Sequence, residues 1–177
     1  AGAPVSRSAP ACPLIGMSLL LTRAGDAEVL DVGATRMQLL ADSDDTTGTT
    51  GGVLNANRTV LQAGADGAAP HFHHESAEMF FVLGGALRAL AGDRVVTLEE
   101  GDFLLVPRGT THAFSAEDGA PADVLVVFTP AIPERFASCG LAERVLRGEA
   151  SPQEILDTQE RFDNHFVRSP HWHTALP

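Results

Sequence analysis

Basic residues and cysteines are scarce in this sequence, and long apolar runs are missing. Lys and Arg number 12 against 23 Asp and Glu, a formal net charge of −11. That imbalance disfavours a nucleic-acid or anionic-membrane partner, either of which calls for a basic face. The cysteines, Cys12 and Cys139, are too few for a disulfide framework. No apolar run approaches the roughly 18 residues of a membrane helix. Arg7 and the apolar stretch 14–21 have the outline of a secretory signal, but Gly16 interrupts the run and no small-residue cleavage site follows it. The expectation is an acidic, cytoplasmic protein.

What is present suits one globular domain. The 177 residues are 44% apolar and 20% charged, enough for a sizeable core. Residues 1–13 are rich in Ala, Pro and Ser and read as a loose arm. Short apolar runs at 17–21, 28–32 and 37–40 read as strands, with Gly25-Asp26 and Gly33 as turns. The polar stretch 42–52 reads as a loop. Strands are then expected at 53–63, 71–73, 79–83, 86–90, 94–98, 103–106, 111–115 and 124–128. Turns are expected at 64–70, Gly84-Gly85, Gly92-Asp93, Gly101-Asp102, Gly109 and Gly119. This rhythm predicts an all-β sandwich or barrel.

The pattern changes after Pro130. Residues 133–139 and 141–147 read as helices. Ser151 with Glu154 three residues on has the form of a capping box, with Pro152 at the first helical position, and predicts a helix over 152–164. The domain reading is an arm at 1–13, a barrel at 14–130, and a helical extension and tail at 131–177.

Histidines carry the strongest chemical signal. On a strand, His71 and His73 point to the same side. Two imidazoles facing a barrel interior are poor core filler and need partners for their ring nitrogens. They suit a borderline metal such as zinc, nickel or iron(II). A turn through 74–77 would bring Glu78 back at the start of the next strand, where an inward carboxylate also needs a cation. Further on, Gly101-Asp102 is a turn, Pro107 ends a strand and Gly109 permits another turn, so His112 can face inward from the strand that follows.

These spacings resemble the cupin superfamily. The first cupin motif matches His71, His73, Glu78 and Gly85, and the second matches Gly101, Pro107, Gly109 and His112. The asparagine that often follows four residues later is Ala116 here, a position that is not a metal ligand in the family. The resemblance implies a jelly-roll β-barrel holding one divalent transition metal (Ni, Co, Mn, Fe or Zn) on His71, His73, Glu78 and His112. That ligand set leaves coordination positions open, which separates a catalytic site from a structural one. Phe80 and Phe114, each two residues beyond a ligand, are read as lining either a substrate cavity or plain core.

A finer resemblance is to single-domain bacterial quercetinases. It is carried by Pro133-Glu134-Arg135-Phe136 after the barrel and by the stretch from Arg161-Phe162-Asp163 to His171-Trp172-His173. It implies dioxygenation of a flavonol or related enolic aromatic, with ring cleavage and loss of carbon monoxide. Glu78 would be ligand and general base, and Phe80 and Phe114 would hold the substrate's ring. The alternatives are a non-redox metal cupin, a cyclase or isomerase acting on an enolisable compound, and a small-molecule binding cupin without turnover. A homodimer is expected, because short barrels leave apolar outer positions such as Phe81 and Leu83 to be covered. Of the remaining residues, His171 and His173 read as a surface tail and Cys139 as packed. His165 reads as a helix end, and Arg88 as outward-facing with a buried stem.

Overall fold

The computed structural model describes residues 19–43 and 50–173. The expected arm at 1–13 lies outside the described residues, as do the start of the 17–21 run and the centre of the polar loop, 44–49. The strands are β1 (Glu28–Val32), β2 (Thr35–Ala41), β3 (Asn55–Leu61), β4 (Asp66–Phe72), β5 (Ala77–Ala91), β6 (Arg94–Glu99), β7 (Phe103–Val106), β8 (His112–Ala116) and β9 (Ala122–Thr129). Helices α1 (Arg135–Leu146) and α2 (Pro152–Asp157) follow, then a short strand β10 (His165–Phe166).

Every pairing is antiparallel. One sheet runs β1-β2-β3-β9-β5-β7 and the other β6-β5-β8-β4-β10, so β5 belongs to both. Alternate residues of β3 and β9 are buried, the period-two pattern of a sheet with one face on a core. That core lies between the sheets and includes Leu61, Phe80, Val82, Leu87, Val124 and Phe128. Each such side chain contributes roughly 1.5–3 kcal/mol by leaving water. The result is an all-β jelly-roll barrel with two small helices after it.

Several local expectations need correction. Residues 19–21 form no strand; Leu19 is exposed, and nothing pairs with this segment among the described residues. The stretch 66–70 is not a turn but the first part of β4, drawn into register against β8 through Asp66–Ser115 and Ala68–Phe114, with irregular pairing around Pro70. The two strands expected at 79–83 and 86–90 are one continuous β5. Gly84-Gly85 bends it from one sheet to the other instead of reversing it. Gly85 has φ 73°, and a Cβ there would sit 1.8 Å from the Pro121 carbonyl oxygen.

The C-terminal region differs most. The two helices expected at 133–147 are one, because a single Gly140 costs only about 1 kcal/mol in a helix. α2 starts as expected, with the Ser151 N–H donating to Glu154 at 2.9 Å. It ends at Asp157 rather than near 164. There the Thr158 hydroxyl takes up the carbonyls of Glu154 and Ile155, and the Gln159 amide takes up that of Leu156. His165 is therefore not at a helix end; it pairs with Phe72 in β10. His171 and His173 are exposed, as a surface tail predicts, but Trp172 between them is not. It is buried against Leu90 and Ala113 on the outer face of the barrel, with the Arg88 guanidinium 4.4 Å above its ring.

Candidate metal centre

β4 carries His71 inward and His73 follows one residue beyond its end. β5 brings Glu78, and β8 begins with His112. The β4–β8 register sets His71 directly opposite His112. All four residues are buried, at no more than 2% exposure. One donor atom from each lies within 4.8 Å of the others. The Glu78 Oε2 atom is the focus, 2.5 Å from His112 Nε2, 3.2 Å from His73 Nε2 and 4.0 Å from His71 Nε2.

The far side of each ring fixes its tautomer. Nδ1 of His71 donates to the Ala69 carbonyl at 2.8 Å, that of His73 to Asp163 at 2.5 Å, and that of His112 to Thr110 at 2.9 Å. A carbonyl only accepts, so each Nδ1 holds a hydrogen, and each ring's Nε2 is left facing Glu78. Ring nitrogens and a carboxylate oxygen at these distances call for a proton or a metal ion shared between them. Backbone carbonyls that orient the ligand imidazoles are also the usual outer layer of a metal site.

The electrostatics agree with that donor set. Burial, then repulsion from His112 and His73, holds the His71 pKa well below 6.5, against the pull of Glu78. Burial alone would raise the Glu78 pKa. The charges and hydrogen bonds of His112 and His73 outweigh it, so its pKa lies well below the usual carboxylate range. A neutral imidazole and an ionised carboxylate are the ligand forms of these groups. The cluster can hold one metal ion, and its residues do not determine which ion.

Phe80 and Phe114 take different places. Phe80 is packed in the core, edge-on to His112 at 6.4 Å and to Phe114 at 5.3 Å. Phe114 lines a cavity of about 290 Å³ between the barrel and the C-terminal extension. The four cluster residues do not line that cavity, but Ala69 and Phe166 do, and both also adjoin His71.

The sequence reading missed Asp163, whose backbone carbonyl orients His73. Its carboxylate also accepts the N–H groups of His74 and Glu75, at 2.7 and 3.0 Å. It missed Arg135 as well, which lies over the Phe128 ring at 4.5 Å, while that ring is edge-on to His73 at 5.5 Å. The histidine motifs mark neither residue: Asp163 reaches His73 across 90 positions of chain, and Arg135 approaches the cluster only through Phe128.

Three imidazoles and one carboxylate thus converge inside a short antiparallel barrel, and together they could hold one metal ion. Residues 57–128 match the Cupin domain family. No curated protein sequence matches it. Among solved structures, an RmlC-like cupin from Shewanella frigidimarina is similar at 20% identity, with TM-score 0.53, over 64% of this chain and 93% of that one. Pac13 from Streptomyces, a nucleoside dehydratase, is similar at 13% identity and TM-score 0.53, covering 66% of this chain and 87% of that one. The polyketide cyclase RemF from Streptomyces resistomycificus is similar at 19% identity and TM-score 0.52, covering 64% and 80%. These likenesses establish the fold. No helix among the described residues is long and apolar enough to cross a membrane.

Proposed function

We propose that the chain is a metal-dependent enzyme acting on a small enolic aromatic, with His71, His73, Glu78 and His112 holding one divalent transition metal. The observation that carries this is the convergence of three Nε2 atoms on one buried, ionised carboxylate. The reaction we favour is dioxygenation of a flavonol or related compound, supported by the two histidine motifs and by the quercetinase-like stretches after the barrel. A bound Ni, Co, Mn, Fe or Zn ion would supply Lewis acidity and, if redox-active, access to dioxygen chemistry.

The chain's own groups would do the rest. Glu78 Oε2 would accept the proton of the substrate's enol hydroxyl, as a carboxylate already ionised when substrate arrives. The Ala69, Thr110 and Asp163 carbonyls would keep the three rings turned inward during that transfer. Phe114 would offer a ring to the substrate, with Phe80 packed behind it to hold its position. Burial of the cluster would keep bulk water from the reacting atoms.

The test is oxygen uptake by protein with a verified metal load, given quercetin. The proposal expects uptake with bleaching of the flavonol's visible band, and a loss of about a hundredfold or more in Glu78→Gln. No uptake with the metal confirmed in place would move the assignment to a non-redox reading, a cyclase or dehydratase working through an enolate. That second reading is favoured by the structural likeness to Pac13, described as a nucleoside dehydratase, and RemF, described as a polyketide cyclase.

We also place the active form as a homodimer. Phe81, Leu83, Phe103 and Leu105 leave an apolar strip on the outer face of β5 and β7, each 40–58% exposed. Light scattering should give twice the chain mass, and Phe103→Glu should halve it; a wild-type monomer would refute the pairing. The location we assign is the cytoplasm, on the low cysteine count, and cell fractionation checks it.

A further inference from the structure

The 290 Å³ cavity between the barrel and the extension has walls from Met37, Phe114, Cys139, Phe162 and Phe166. A largely apolar cavity of this size lies at the small end of ligand sites. Two polar side chains that line it are left incomplete. The Nε of Arg135 is buried without a hydrogen-bond partner, and so is the Oδ1 of Asn164. A buried donor left unmade is costly, and each such group calls for an explanation.

Arg135 is also held in place. Its guanidinium lies against the Phe128 ring at 4.5 Å, which fixes the plane of its donors. Nε forms one corner of the guanidinium edge that binds a carboxylate through two parallel hydrogen bonds. In a chain of net charge −11, an anion finds few such sites.

We propose that this cavity binds a small, mostly apolar organic anion, with Arg135 as the anchor for its carboxylate or enolate and Asn164 accepting from a hydroxyl or N–H group on the same molecule. That this molecule is the substrate rests on the enzyme reading above; the binding does not. The Phe128 ring touches both the Arg135 guanidinium and the His73 ring, so an occupant held by Arg135 has its acidic end within one shared aromatic contact of the histidine cluster. Arg135 is then a specificity-determining residue that selects acids over neutral analogues of the same shape.

Calorimetric titration with 2-naphthoate and its neutral counterpart 2-naphthamide tests this, on metal-free and on metal-loaded protein. Naphthoate should bind both forms more tightly than naphthamide. Arg135→Leu should weaken naphthoate by about ten- to a hundredfold and leave naphthamide unchanged. Arg135→Lys should recover only part of the loss, because the ammonium cannot make the paired contact. A thermal melt of each variant separates lost binding from lost fold. Absence of naphthoate binding to the wild type would overturn the proposal, and so would equal binding by wild type and Arg135→Leu. Binding confined to metal-loaded protein and insensitive to Arg135 would place the anion at the metal and also overturn it. If Arg135-dependent binding holds while quercetin drives no oxygen uptake, the anion site stands and the dioxygenase reading falls.

Discussion

Glu78 sits where a lone carboxylate is least tolerated, buried and surrounded by ring nitrogens. His112 and His73 explain why it stays ionised, and the carbonyls of Ala69, Asp163 and Thr110 explain why the rings face it. In metal-free protein the balance depends on protons. His71 has a folded pKa well below 6.5, so on acidification the unfolded chain takes up this proton first. Its contribution to stability is therefore complete above about pH 6.5 and declines as pH falls below that value. Metal-free wild type should melt at a lower temperature at about pH 5.5 than at about pH 7.5, and His71→Gln should flatten that difference. An unchanged pH dependence in His71→Gln would show that this ring is not buried in neutral form.

At the scale of elements, one long strand and one short tether build the site. β5 carries Glu78 in one sheet and pairs with His112 from the other, through Ala91. Its crossing depends on Gly85, where an added Cβ meets the Pro121 carbonyl at a positive φ. Gly85→Ala should cost about 3 kcal/mol or more, or prevent folding, as measured by urea denaturation. A change within about 0.5 kcal/mol would mean that the crossing does not need glycine there. The tether is Asp163, which holds the His73–Glu75 turn through its carboxylate and the His73 ring through its carbonyl. Asp163→Ala should destabilise the fold by about 1–3 kcal/mol and weaken metal binding about tenfold. Metal affinity equal to wild type would show that the His74–Ser76 turn holds its shape unaided.

The sequence showed those parts of the site that are set locally. His71 and His73 are two residues apart, Glu78 follows one turn, and Pro107 and Gly109 frame the approach to His112. Alternation was readable in β9, where burial is strictly periodic. Distant chain was not readable in this way. Whether Gly84-Gly85 reverses or bends a strand depends on Pro121, and the end of α2 depends on side-chain contacts that Thr158 and Gln159 make with its last turn. Arg135, Asp163 and Trp172 meet the barrel only through tertiary packing, so no short spacing announces them.

At the scale of the molecule, the barrel supplies a buried interior for the four side chains, and the extension shares with it the walls of the cavity that Phe114 lines. The extension contributes the carbonyl behind His73, the guanidinium over Phe128 and much of the cavity wall. It therefore belongs to the working unit rather than trailing from it. The claim on which the rest depends is that the four buried side chains hold a single metal ion. Metal analysis by mass spectrometry, on reconstituted wild type and on His112→Ala of matched circular dichroism, tests it most directly. The account predicts about one transition-metal ion per wild-type chain and loss of most of it in the variant. Equal occupancy in the two proteins, or a wild type that retains no metal, would contradict it.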